Sequence, residues 1–204
     1  MILEVYLTNI YIFLYLLCIL FNGDYMTFKK WKILSPIIIF VLCSLVHFGY
    51  DLLPCFITSI FCPVNESIYE HMKMIYTSIL LFSLIEYFVS RKMTWILNNK
   101  GINPLLSGLV NIFSFLIIYL PIKMIIGENM IVTFIILFIS IMITAYVSYH
   151  ILIHKKLIDD RLGLFLTLFL YVPFTYFTYN PIHIEFFYDT KNKLYGIKKL
   201  FQSK

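Results

Sequence analysis

Long apolar runs separated by short polar stretches make up most of the chain. A helix needs roughly 20 apolar residues to cross a bilayer. Six runs reach or approach this length: Ile2–Phe21, Ile33–Pro54, Ile68–Ser90, Ile102–Pro121, Met130–His150 and Leu162–Tyr179. Backbone polar groups in hydrocarbon must be hydrogen-bonded within the segment, and the runs lack the alternation of barrel strands. Each run therefore predicts a transmembrane helix.

These runs predict an all-α, polytopic bundle of transmembrane helices that forms a single integral membrane domain over residues 1–204. We expect residues 1–28 to add an N-terminal hydrophobic helix to a five-helix core over residues 29–180, followed by a tail over residues 181–204. The first run has neither the basic start nor the small-residue cleavage site of a signal peptide, so we expect it to be retained. No internal repeat is visible.

The composition excludes a globular domain with a wettable surface. Hydrophobic residues make up 61% of the chain and charged residues 13%, whereas soluble domains have about 45–50% and about 25%. The net charge of +5 does not indicate a nucleic-acid partner, because the cations cluster at the ends of the runs and no basic patch is interleaved with aromatic residues. The expected partner is the lipid bilayer, and the expected location is the cell membrane, crossed several times. Protein partners are not specified.

The basic residues between the runs predict the orientation in the membrane. Lysines and arginines follow the first, third and fifth runs, namely Lys29, Lys30 and Lys32, then Arg91, Lys92 and Lys100, then Lys155, Lys156 and Arg161. These three connections should be cytoplasmic, and the connection over residues 55–67, which has one acid and no base, should face outward. By alternation the C-terminal tail should also lie at the outer face, although it is rich in lysine.

Ionisable residues beside membrane spans are costly and point to function. His47 and Asp51 are four residues apart, which places them on one face of a helix near the outer end of the second run. Glu66, Glu70 and Lys73 follow the same helical spacing at the start of the third run. A charged stripe of this kind should face the bundle interior or a wet cavity rather than lipid.

The predicted topology brings these residues to the same membrane face, together with His71 and, after the last run, His183. Imidazole and carboxylate groups are the ligands that divalent metals take in proteins, although the spacing matches no known metal signature, so the cofactor is unknown beyond a divalent metal as one candidate. The candidate catalytic residues are Glu66, Glu70, His71 and Lys73; the candidate metal ligands are His47, Asp51 and His183; the candidate substrate-binding residues are Tyr50, Asn65, Ser67 and Asp189.

Part of this motif is also typical of an ordinary helix start. Ser67 followed by Glu70 three residues later is a capping box, and Asn65 is a favoured capping residue. Capping accounts for these three residues without any function. It leaves Glu66, His71 and Lys73 unexplained, so we favour a functional site.

The motifs resemble those of an uncharacterised family of small multi-spanning bacterial membrane proteins, a domain of unknown function. The resemblance covers about Lys30 to Ile197 and rests on His47-x-x-Tyr50-Asp51, on PVNESIYEHMK over residues 63–73, and on Pro181-x-His183 through Ile197. Tyr69 stands where the family usually has Trp, and Ile182 where a second Pro is usual. The resemblance implies a five-helix core with the first run added, and it implies no activity.

Three functions are compatible with the sequence, which does not decide whether the chain is an enzyme. The first is a metal-assisted enzyme that acts at the outer face on a lipid or cell-envelope substrate. The second is a structural or partner-binding membrane subunit, in which polar groups hold helix ends together. The third is a small proton-coupled transporter, which uses carboxylate and imidazole relays but usually binds its substrate near the midplane.

Overall fold

A computed structural model describes residues 26–197 together with Glu4, Leu7, Thr8 and Tyr11. The helices are α1 (Phe28–His47), α2 (Gly49–Leu52), α3 (Phe56–Phe61), α4 (Ile68–Lys92), α5 (Asn103–Ile126), α6 (Met130–Ile153), α7 (Asp160–Phe169) and α8 (Tyr171–Tyr179). A 3₁₀ turn (Glu185–Phe187) then leads into a hairpin of β1 (Tyr188–Asp189) and β2 (Leu194–Tyr195). Apart from those four residues, the predicted helix Ile2–Phe21 lies outside the described part of the chain.

The predicted all-α bundle is confirmed. Five helical segments of the described chain are long and apolar enough to cross a membrane: Phe28–Leu52, Ile68–Lys92, Asn103–Ile126, Met130–Ile153 and Asp160–Tyr179. The first joins α1 to α2, and the last joins α7 to α8. The break between α7 and α8 lies beside Pro173, which has no N–H to donate to the carbonyl of Phe169.

Four helices form a closed ring: α1 and α5 each pack against both α4 and α6. The fifth span lies outside this ring, with α7 against α5 and α8 against the short α3. The interior is filled by large side chains, and Trp31, Tyr76 and Ile141 are completely buried. Apolar residues such as Ile117 and Ile131 are exposed on the outside, as expected for a surface that contacts lipid.

A buried ion pair joins α1 to α4 at the end of the bundle where α1 begins. Lys32 Nζ lies 2.7 Å from Glu86 Oε1 and also donates to Ser148 Oγ at 2.7 Å. The indole N–H of Trp31 donates to Glu86 Oε1 at 2.9 Å. Lys32 and Glu86 are 5% and 3% exposed. The carboxylate and the ammonium are thus compensated inside the ring rather than in lipid or water.

Lys32 lies inside α1 and is buried, so its predicted place among the loop cations is wrong. The run of apolar residues predicted a helix from Ile33, but α1 begins at Phe28, where the hydroxyl of Thr27 accepts a hydrogen bond from the N–H of Lys30 at 3.4 Å. The earlier start places Lys32 inside the helix. Glu86 is not among the residues that the sequence pattern pointed to. Its position as a lone carboxylate within an apolar run nevertheless indicates that it needs a buried cationic partner.

Replacing Glu86 by Gln should leave the Lys32 ammonium buried without a counter-ion. We expect Glu86→Gln to lower the free energy of unfolding by about 3–5 kcal/mol, measured by reversible denaturation in mixed detergent. Lys156→Met is a matched control, because the Lys156–Asp159 pair is 56% and 63% exposed and should contribute little. Equal stability of the two variants would contradict a central role for the buried pair.

Candidate metal centre

The start of α4 decides which polar residues share a face. Ser67 is the N-cap, its Oγ accepting from the N–H of Glu70 at 3.3 Å, and Asn65 Oδ1 accepts from the N–H of Ser67 at 2.9 Å. The helix therefore begins at Ile68, and Glu66 precedes it on non-helical backbone. The predicted helical stripe that joined Glu66 to Glu70 is wrong for this reason.

Glu66 instead lies between two imidazoles. Its Oε1 is 3.8 Å from His47 Nε2, and its Oε2 is 3.6 Å from His71 Nε2. The two rings lie 5.5 Å apart between centroids. One possible ligand atom from each of the three residues lies within 4.8 Å of the other two. We call this cluster the His47–Glu66–His71 triad. Its three side chains are 26–32% exposed, so it is accessible to solvent.

The tautomer of His71 is fixed by its own helix. Its Nδ1 lies 2.8 Å from the carbonyl oxygen of Ser67. Because a carbonyl oxygen can only accept, Nδ1 must carry the proton of this hydrogen bond. In the neutral ring, the lone pair is then on Nε2, which points toward Glu66. A backbone carbonyl behind a histidine in this way is the usual orientation of a metal-binding imidazole.

The C-terminal hairpin docks on the residues that carry the triad. Asp189 Oδ2 accepts from the N–H of Glu66 at 3.1 Å, and Asn65 Nδ2 donates to the carbonyl of Gly196 at 2.8 Å. Gly196 has φ +63°, and a Cβ there would lie 2.8 Å from the carbonyl oxygen of Thr178, so this close approach requires glycine. The tail therefore lies at the same end of the bundle as His47, Glu66 and His71.

Asp189 anchors the hairpin turn. Its carboxylate also accepts from the backbone N–H groups of Lys191 and Asn192, both at 2.9 Å, and from the Asn192 side chain at 2.8 Å. Burial by itself would raise the pKa of Asp189, but the hydrogen bonds from Asn192, Glu66 and Lys191 outweigh it and hold the pKa below its ordinary value. The carboxylate is buried, and both of its oxygens already accept hydrogen bonds from the chain.

Glu70 and Lys73 form a separate, closed cluster beneath the triad. Lys73 Nζ lies 2.6 Å from Glu70 Oε2 and donates to the carbonyl of Ser59 at 2.8 Å and to Thr178 Oγ1 at 2.9 Å. Thr178 in turn donates to Glu70 Oε1 at 2.7 Å. Glu70 and Lys73 are 1% and 0% exposed. The pair joins α3, α4 and α8, and the structure separates it from the three residues around Glu66.

The remaining predicted site residues are not members of the triad. Asp51 is exposed, and α1 ends at His47 before α2 begins at Gly49, so the four-residue spacing does not run along one continuous helix. His183 is exposed and packs its ring on Tyr195, 4.7 Å away between centroids. Tyr50 is buried. Among the described residues, the only group of three or more that could hold a metal is His47, Glu66 and His71.

A model of the family of unknown function DUF6512 matches residues 7–197. The resemblance to an uncharacterised family, which the sequence motifs indicated, is therefore confirmed. No curated protein and no solved structure matches the chain. The chemistry of the site must therefore be argued from its own residues.

Glu66 and Glu70 should respond differently to the same substitution. We expect Glu70→Gln to lower the free energy of unfolding by about 3–5 kcal/mol, because it leaves Lys73 buried without its counter-ion. Glu66→Gln should change it by well under about 1 kcal/mol, because the Glu66 side chain is 32% exposed and its ion pair with Lys191, which is 74% exposed, is solvated. Denaturation of the two variants in the same detergent provides the comparison, and the reverse order would contradict the division of the cluster into two parts.

Proposed function

We propose a function for this chain, which belongs to the DUF6512 family of unknown function, from the geometry of its own site. In this proposal His47, Glu66 and His71 hold a divalent transition metal at the membrane surface. The protein is then a metal-assisted enzyme that acts on a lipid or cell-envelope substrate. The observation that carries the proposal is the convergence of two imidazole nitrogens and a carboxylate oxygen within 4.8 Å of one another.

The donor set and its spacing support a metal of the zinc type. Such ions take imidazole nitrogens and carboxylate oxygens at about 2.0–2.2 Å, so neighbouring donors around a tetrahedral ion lie about 3.3 Å apart. Glu66 Oε1 lies 3.8 Å from His47 Nε2 and Glu66 Oε2 lies 3.6 Å from His71 Nε2, and one donor atom from each residue lies within 4.8 Å of the other two. In this proposal the side chains move closer together when the ion binds, and the ring of His71 is already oriented by Ser67.

Three protein ligands are typical of catalytic metal sites, since they leave one position open, whereas structural sites have four. A metal held here would supply Lewis acidity and lower the pKa of a coordinated water. The protein contributes the orientation of the ligands. Asp189 fixes the backbone of Glu66, and the carbonyl of Ser67 fixes the ring of His71.

The surroundings of the triad favour a substrate that enters from the membrane. Exposed apolar residues lie in the two segments next to the site: Leu53, Phe56 and Ile57, which are 63–65% exposed, precede Glu66 in the chain, and Ile184, 52% exposed, precedes the hairpin. At a membrane surface such side chains insert between lipids. On the basis of the loop charges we place this end of the bundle at the outer face of the cell membrane.

A different observation favours the alternative of a structural or partner-binding subunit. The polar side chains of Asn65, Ser67, Asp189, Glu70 and Lys73 all make hydrogen bonds or ion pairs within the chain. The end of the bundle that carries the C-terminal tail, held together in this way, would be a rigid binding surface for a partner protein even without catalysis. The third alternative, a proton-coupled transporter, is the weakest, because the two buried ion pairs lie toward opposite ends of α4 rather than at its middle.

The metal content of the purified protein distinguishes the metal-assisted enzyme from the two alternatives. We expect the full chain, purified in detergent without a polyhistidine tag and supplied with Zn²⁺ after chelator treatment, to retain about one metal ion per chain by mass spectrometry. His71→Ala and Glu66→Gln should lose it, because each removes a ligand. His183→Ala is the matched control and should retain it, since His183 lies outside the triad.

Wild-type protein without metal would favour the structural subunit. Metal retained by His71→Ala and lost by His183→Ala would place the site elsewhere. Either result would contradict the proposed centre.

A further inference from the structure

The carboxylate of the triad already has a cation from the chain itself. Lys191, in the turn between β1 and β2, places its Nζ 3.5 Å from Glu66 Oε1. This is the same oxygen that faces His47 Nε2 at 3.8 Å. A metal ion bound between the imidazoles and Glu66 would therefore compete with the ammonium for this oxygen.

The backbone of Lys191 is held beside Glu66 by contacts that do not involve the ammonium. Asp189 accepts from the N–H of Glu66 and from the N–H of Lys191 at 3.1 and 2.9 Å. Asn65 bonds to the carbonyl of Gly196 beyond β2. The Lys191 side chain is 74% exposed, so its head group can move into water while the hairpin stays in place.

We propose that Lys191 is a built-in competitor for the metal, an inference that rests on the proposed metal function of the triad. The ammonium neutralises Glu66 when the triad holds no ion, and a divalent cation displaces it, since two cations on one carboxylate repel each other. Lys191 therefore sets how much metal is needed to load the site.

The effect on affinity follows from the exposure of the pair. Solvated ion pairs of this kind correspond to about a 1.4- to fivefold change in an equilibrium constant. Removing the charge at position 191 should tighten metal binding by about two- to fivefold at low salt. The difference should shrink near 1 M salt, where charges are screened within about 3 Å.

The test is a Zn²⁺ titration of the full chain in detergent, read by competition with a chromophoric chelator. The wild type is compared with Lys191→Gln, with Lys191→Arg, which keeps the charge, and with Lys193→Gln, which removes the same charge from the same turn. We expect tighter binding in Lys191→Gln, with a gain over the wild type that shrinks as salt is raised, and affinities close to the wild type in the other two. Thermal unfolding of each variant shows that the fold is intact.

Affinity in Lys191→Gln equal to or weaker than the wild type would overturn the competitor role while leaving the metal site in place. The same gain in Lys193→Gln would also overturn it, because the effect would then come from overall charge. Absence of metal binding in every variant would instead overturn the proposed metal function, and the inference with it.

Discussion

Charge buried along α4 is the constraint on which the arrangement of the bundle depends. Glu70 and Glu86 are 16 residues apart in the sequence, which corresponds to about 24 Å along a helix, close to the hydrocarbon thickness of about 30 Å. Neither carboxylate can face lipid, so each is met by a lysine and by hydrogen-bond donors from other helices. This requirement joins α4 to α1 through Glu86 and to α8 through Glu70, and α4 is the most buried of the described spans.

The accessible site is a consequence of this buried framework. The Glu70–Lys73 pair binds the carbonyl of Ser59 on α3 and the hydroxyl of Thr178 on α8, and so holds α3 and α8 against the start of α4. With these elements held, Glu66 is presented between His47 and His71. Hydrogen-bonded polar groups that support a partly exposed cluster are what a binding site needs to hold its ligands in place.

The sequence was sufficient for the five described spans, because they follow from hydropathy. It was not sufficient for the pairing of side chains. Helical spacing joined Glu66 to Glu70 and His47 to Asp51, yet a cap at Ser67 and a break after His47 interrupt both helices. The partner of Lys32 is 54 residues away on another helix, and no periodicity within one segment encodes such a contact.

The most direct test of a metal at the triad is the zinc K-edge X-ray absorption spectrum of the tag-free, zinc-loaded protein. We expect a first shell of nitrogen and oxygen at about 2.0–2.1 Å with the multiple-scattering pattern of two imidazoles. A shell without imidazole, or one with sulfur at about 2.3 Å, would contradict it.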